Sequence, residues 1–137
     1  MRLDWHKLLN YLHLGRERLA EAVLSLASLL FVRIYLFFLL ALNATNWLLA
    51  YYVNRHVSQN LIILHYNVNL GVNLIGEARG IYVIPTLGLA FIVINFLLLL
   101  NICRQGKFSV HLLLGFSLVI NIFLIASTIS IYLINFR

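Results

Sequence analysis

The residues best suited to chemistry lie in LIILHYNVNLGVNLIGEARG, positions 61–80. Leu64, Tyr66, Val68, Leu70, Val72 and Leu74 alternate there with His65, Asn67, Asn69, Gly71 and Asn73. A two-residue repeat suits a β-strand with one buried face, so the polar set shares the opposite face. An imidazole and three amides in a row offer hydrogen-bond donors and acceptors, which is the chemistry of holding a ligand or a partner strand. His65, Tyr66, Asn67, Asn69, Gly71 and Asn73 are therefore the candidate binding residues. The plainer alternative is that these side chains satisfy the backbone of a turn. Gly71, Gly76 and Gly80 provide places for a bend, and Asn tolerates left-handed geometry. The simplest element is a small strand-turn-strand cap with its apolar face on the ends of neighbouring helices.

Other chemistries lack their residues. The four acids, Asp4, Glu17, Glu21 and Glu77, have no hydrolytic pairing, and Glu77 with Arg79 is at most a local ion pair. No Gly-rich phosphate loop is present, and the single Cys103 has no evident histidine partner and rules out an internal disulfide or a C-x-x-C site. His6, His13, His56, His65 and His111 show no H-x-x-x-H spacing, so no metal or cofactor is expected. The chain reads as a non-enzyme.

The elements that position this segment follow from composition. Of 137 residues, 63% are hydrophobic and 10% charged, against roughly 45–50% and about 25% in soluble domains, which points to an integral membrane protein. The net charge of +6 comes from scattered basic residues and follows membrane topology, so no nucleic-acid partner is expected. A span needs roughly 20 apolar residues. Residues 34–53, 81–102 and 110–136 meet that standard, with 54–80 and 103–109 as the connecting segments. Residues 1–33 form a lead with Leu19, Val23, Leu26 and Leu30 on one helical face and Arg16, Glu17, Arg18 and Glu21 on another, which predicts interfacial amphipathic helix broken near Gly15. Its charged region is too long for a cleaved signal peptide. Arg33 is costly at the centre of a bilayer, so the first span is expected to start just after it, with Arg33, Arg104 and Lys107 as membrane anchors.

The lead carries Arg2, Lys7, Arg16, Arg18 and Arg33, and the 103–109 loop carries Arg104 and Lys107. The positive-inside rule then puts the N-terminus in the cytoplasm, with residues 54–80 and the C-terminus outside a plasma membrane. Within the spans, polar groups need partners. Asn46, Asn95, Gly88, Ser117 and Asn121 are the expected helix-packing residues, with Thr128 on the same face as Ser117 and Asn121. Counting rise from the cytoplasmic ends, Asn46 and Asn121 both lie about 18 Å deep and Asn43 about 14 Å, so spans one and three are expected to meet through Asn46 and Asn121.

His65-Tyr66-Asn67, Gly71, Gly76 and the early Pro85 of the second span resemble a module of bacterial SdpI-like membrane proteins. That module reads roughly P-x-x-I-P-x-H-[WFY]-N-x-x-G-x-x-D-x-x-G between two spans. The resemblance covers about residues 45–100; there is no proline before His65, the first glycine is one residue late, and Asn73 replaces the acid. It implies a bacterial plasma-membrane protein with an extracytoplasmic recognition hairpin and no enzyme activity. The fold expected is thus mainly α: three transmembrane helices after an interfacial amphipathic helix, with a short β-like hairpin between the first two. The function expected is recognition of a partner or ligand by the hairpin, with lipid around the spans and a protein partner or second copy beside them. The alternatives are an accessory subunit of a larger membrane complex and a small transporter or lipid-processing enzyme using His65.

Overall fold

The computed structural model describes residues 5–57, 61–69, 71–102 and 106–136, with the side chains of 5–15, 18, 67 and 102 outside that description. Helix α1 spans Trp5–Ser28 and α2 spans Leu30–His56. Strands β1, Leu61–Asn67, and β2, Gly71–Glu77, follow, then a 3-10 turn, Ala78–Tyr82, and helices α3, Val83–Ile102, and α4, Lys107–Asn135.

The expected break at Gly15 is not there: α1 runs through it, and the chain breaks instead at Leu29, whose ψ is 118°. Neither glycine nor proline marks this point. Ser25 and Ser28 donate their hydroxyls to the carbonyls of Ala22 and Ser25 at 2.9 and 2.7 Å, and such side-chain bonds compete with helix continuation. The amide of Leu29 reaches back only three residues, to Leu26, while its own carbonyl accepts from Val32 and Arg33 and starts α2.

Three helices, Leu30–His56, Ala78–Asn101 and Lys107–Asn135, are long and apolar enough to cross a membrane. The first helix extends ahead of the expected span start at Ile34, to Leu30, which puts Arg33 in its first turn. From Arg33 to Arg55 is 22 residues of that helix, roughly 33 Å, close to the thickness of a hydrocarbon core. Phe37, Leu48 and Phe123 are about 70% exposed on the outside of the bundle (68%, 70% and 71%). A soluble monomer does not leave so many large apolar groups in water, and the protein is a multi-pass integral membrane protein.

Helix α4 packs against both α2 and α3. Two apolar clusters form the interior. Leu26, Val32, Leu39, Ile92, Leu99, Val110 and Leu114 lie at the α1 end, and Ala50, Val53, Ile62, Ile81 and Ile131 at the hairpin end. Buried polar side chains, described below, join the helices along the bundle axis.

β1 and β2 pair antiparallel, from Leu61 opposite Glu77 to Asn67 opposite Gly71, with an irregularity between Ile63 and Tyr66. The strand-turn-strand cap expected from the 64–74 alternation is this hairpin, with its reversal inside the alternating stretch. Val68 and Asn69 form the turn, and Gly71 has φ +73°, a conformation that costs a glycine little. The apolar face covers the helix ends only in part: Ile62 is buried and Leu64 half-buried, whereas Tyr66, Val68, Val72, Leu74 and Ile75 are exposed.

Candidate functional site: the hairpin and its anchor

An antiparallel pair of strands has two outer edges, each a row of backbone donors and acceptors that need partners. In this hairpin the edges differ. At β1, the side chain of Asn135 in the last turn of α4 acts as a third strand: its Nδ2 donates to Ile63 O and its Oδ1 accepts from Ile63 N, both at 2.9 Å. The same Nδ2 donates to Ile131 O at 2.8 Å, which ties the clamp to its own helix. At β2 the two-stranded sheet ends, with no further strand among the described residues. The exposed side chains of Val72, Asn73, Leu74 and Ile75 stand along this strand.

Of the predicted binding residues, His65 and Asn73 come together. Asn73 Oδ1 can only accept, so His65 Nδ1 carries the proton and donates across the strands at 2.6 Å. Tyr66 follows His65 in β1, opposite Val72, and is half-exposed. Asn69 lies in the turn and not in a linear polar row, and Gly71 serves the turn geometry. Asn67 is in β1 opposite Gly71, and its side chain lies outside the described residues. No ion pair joins Glu77 to Arg79 among the described residues. Asn135 is the residue that sequence reasoning missed. It sits in the last turn of a long apolar run, and its only signal was an amide where such a run needs none.

The hairpin base rests on an aromatic and amide collar. Trp47 stacks on Tyr82 at 5.7 Å, and Asn54 Nδ2 donates to Tyr82 Oη at 3.3 Å. Tyr52 stacks on His56 at 4.1 Å, and His56 Nδ1 donates to Tyr52 O at 2.9 Å. Aromatic rings with polar tips favour the membrane–water boundary, so this collar marks one face of the bilayer.

The expected packing residues, Asn46, Gly88, Asn95, Ser117 and Asn121, are all buried between the helices, together with Asn43 and Thr128. Asn95 Nδ2 donates to Ser117 Oγ at 2.7 Å, which passes its proton to Leu113 O at 3.0 Å. The contact expected between Asn46 and Asn121 is replaced by two others. Asn43 Nδ2 donates to Pro85 O at 2.9 Å and reaches Asn121 Oδ1 at 3.4 Å, while Asn46 pairs with Thr128 at 2.6 Å. The reason is where the helices begin: Asn43 lies 13 residues past Leu30 and Asn121 lies 14 past Lys107, so these two are level. Gly88 leaves the space they fill. A Cβ there would stand 2.7 Å from both Asn121 Oδ1 and Asn43 Nδ2.

Asn46 Nδ2 has no partner when Thr128 Oγ1 donates to Asn46 Oδ1, and that hydroxyl also lies 3.1 Å from Leu124 O. One proton cannot serve both. With the Asn46 amide turned over, Nδ2 donates to Thr128 and Thr128 donates to Leu124 O, leaving an acceptor rather than a donor unpaired, which costs less in lipid. The interior amides therefore join the helices to one another, through a second amide or a hydroxyl, as helix glue.

Arg33 and Lys107 stand exposed at the first turns of α2 and α4, at the end of the bundle away from the hairpin, and Arg104 lies outside the described residues. Among the described residues no three of His, Cys, Asp and Glu gather as a metal site would need. Comparison with protein-family models, with curated proteins and with solved structures gave no match. The likeness to SdpI-like proteins therefore rests on the short motif alone, and the hairpin's own geometry carries the functional argument.

Proposed function

We propose that this is a non-catalytic membrane protein whose hairpin recognises a protein partner by accepting an extended segment along β2. The observation that carries this reading is the inequality of the two edges: Asn135 occupies the edge of β1, and β2 presents its backbone with Val72, Leu74 and Ile75 exposed beside it. Strand addition draws affinity from main-chain hydrogen bonds and specificity from alternate side chains, and both are on offer here. The paired His65 and Asn73 and the ring of Tyr66 add polar and aromatic contacts at the same site. In this reading the hairpin faces the outside of a bacterial plasma membrane, as the SdpI-like motif implies. The exposed Arg16, Arg33 and Lys107 near the opposite end support that orientation through the positive-inside rule.

Site-specific photocrosslinking in native membranes tests the proposal. A photoreactive residue at Val72 or Leu74 is expected to give one discrete protein adduct, weakened by Tyr66→Ala, and none at Phe123 on the outside of α4. An adduct of twice 15.8 kDa would identify the partner as a second copy. Lipid adducts alone at all three positions would overturn strand capture.

A further inference from the structure

At the end of the bundle away from the hairpin, a groove of about 720 Å³ lies between α1 and the facing ends of α3 and α4. That volume falls within the roughly 300–1,000 Å³ of small-molecule sites. Its floor is apolar, from Leu26 on α1, Leu100 on α3 and Val110 on α4. Two opposite charges border it, Glu21 on α1 and Lys107 at the start of α4. Both are exposed, and neither forms an ion pair among the described residues. Ser25 and Asn101 add neutral polar groups to the same lining. The outer surface of α1 is itself apolar, with Leu19 56% and Leu24 69% exposed, so the groove opens where lipid lies.

An apolar floor beside one anionic and one cationic side chain matches one class of molecule that is always present at this depth. We infer that the groove holds a phospholipid with an ethanolamine headgroup. Its phosphate sits at the Lys107 ammonium, its own ammonium at the Glu21 carboxylate, and an acyl chain runs over Leu26, Leu100 and Val110. An ethanolamine ammonium has N–H protons for a carboxylate to accept, which a quaternary choline lacks, and a headgroup with no cation leaves Glu21 facing a phosphate. The two charges thus read both halves of the zwitterion.

The test is native mass spectrometry of the full chain, delipidated in mild detergent. It is offered phosphatidylethanolamine, phosphatidylcholine and phosphatidylglycerol in equal amounts with identical acyl chains. Ethanolamine lipid is expected to be retained about two- to fivefold over choline lipid, the scale of one or two exposed ion pairs. Glu21→Gln is expected to abolish that preference, and Lys107→Gln to lower retention of all three. Glu17→Gln, the same charge change on α1 outside the groove lining, is expected to leave the preference intact. Helical circular dichroism checks the fold of each variant. Equal retention of the three lipids, a preference for phosphatidylglycerol, or an ethanolamine preference that survives Glu21→Gln would overturn the inference.

Discussion

Asn43 and Asn121, deep among the helices, meet each other and the carbonyls of Pro85 and Ser117. At the hairpin, Asn135 meets the backbone of a strand, and Asn73 meets an exposed imidazole. The same side chain thus closes the interior upon itself in one region, and in the other completes a single edge and leaves the next one open. The difference follows from solvent. In hydrocarbon an unpaired amide has no water to turn to, so interior groups are driven to partners within the chain, and of the described buried side chains only Asn46 keeps an atom unpaired. Beyond the bilayer water satisfies an open strand until something better displaces it, which is why the proposed recognition is assigned to the hairpin.

Three substitutions probe this contrast. The largest effect is expected from Gly88→Val, which forces atoms into the space of Asn43 and Asn121 and so costs about 1–3 kcal/mol of stability. Denaturation in mixed micelles, followed by circular dichroism, reads this; a change within about 0.5 kcal/mol would mean that the two amides swing aside freely and the interior is not closed. Asn135→Leu is expected to cost less, about 1–2 kcal/mol, because it strands the Ile63 amide and carbonyl where water reaches them in part. Its effect should be local: amide exchange at Ile63 quickens while the helices keep their protection, and uniform loosening would show that the hairpin is not a separate unit. The smallest loss is expected for Thr128→Val, about 0.6 kcal/mol in the same titration, since it removes one interhelical hydrogen bond. A loss several times larger would mean that the stranded Asn46 amide, and not the bond alone, sets the cost.

The spans and the hairpin were legible in the sequence because each has a strong periodic signal: long apolar runs for the helices, a two-residue alternation for the strands. The burial of Asn95, Ser117 and Asn121 was legible because an amide or hydroxyl in a span must face protein. What failed depended on height and on distant contacts. Whether Asn121 meets Asn43 or Asn46 turns on a few residues at each helix start, and the helix that carries the first span starts at Leu30, four residues ahead of the expected span start at Ile34. The alternation of 64–74 continues through the turn at Val68 and Asn69, so pattern alone did not show where the strand reverses. The break at Leu29 lacks proline or glycine, so no residue type in the pattern announced it. Asn135 was invisible because its partner is a backbone group 72 positions away.

That separation also sets an order of assembly. During synthesis the hairpin leaves the ribosome long before the final turn of α4 exists, so β1 must wait with an unclaimed edge while two more helices are made and inserted. Only the arrival of residue 135 fastens it, and until then the nascent chain displays two adhesive margins instead of one.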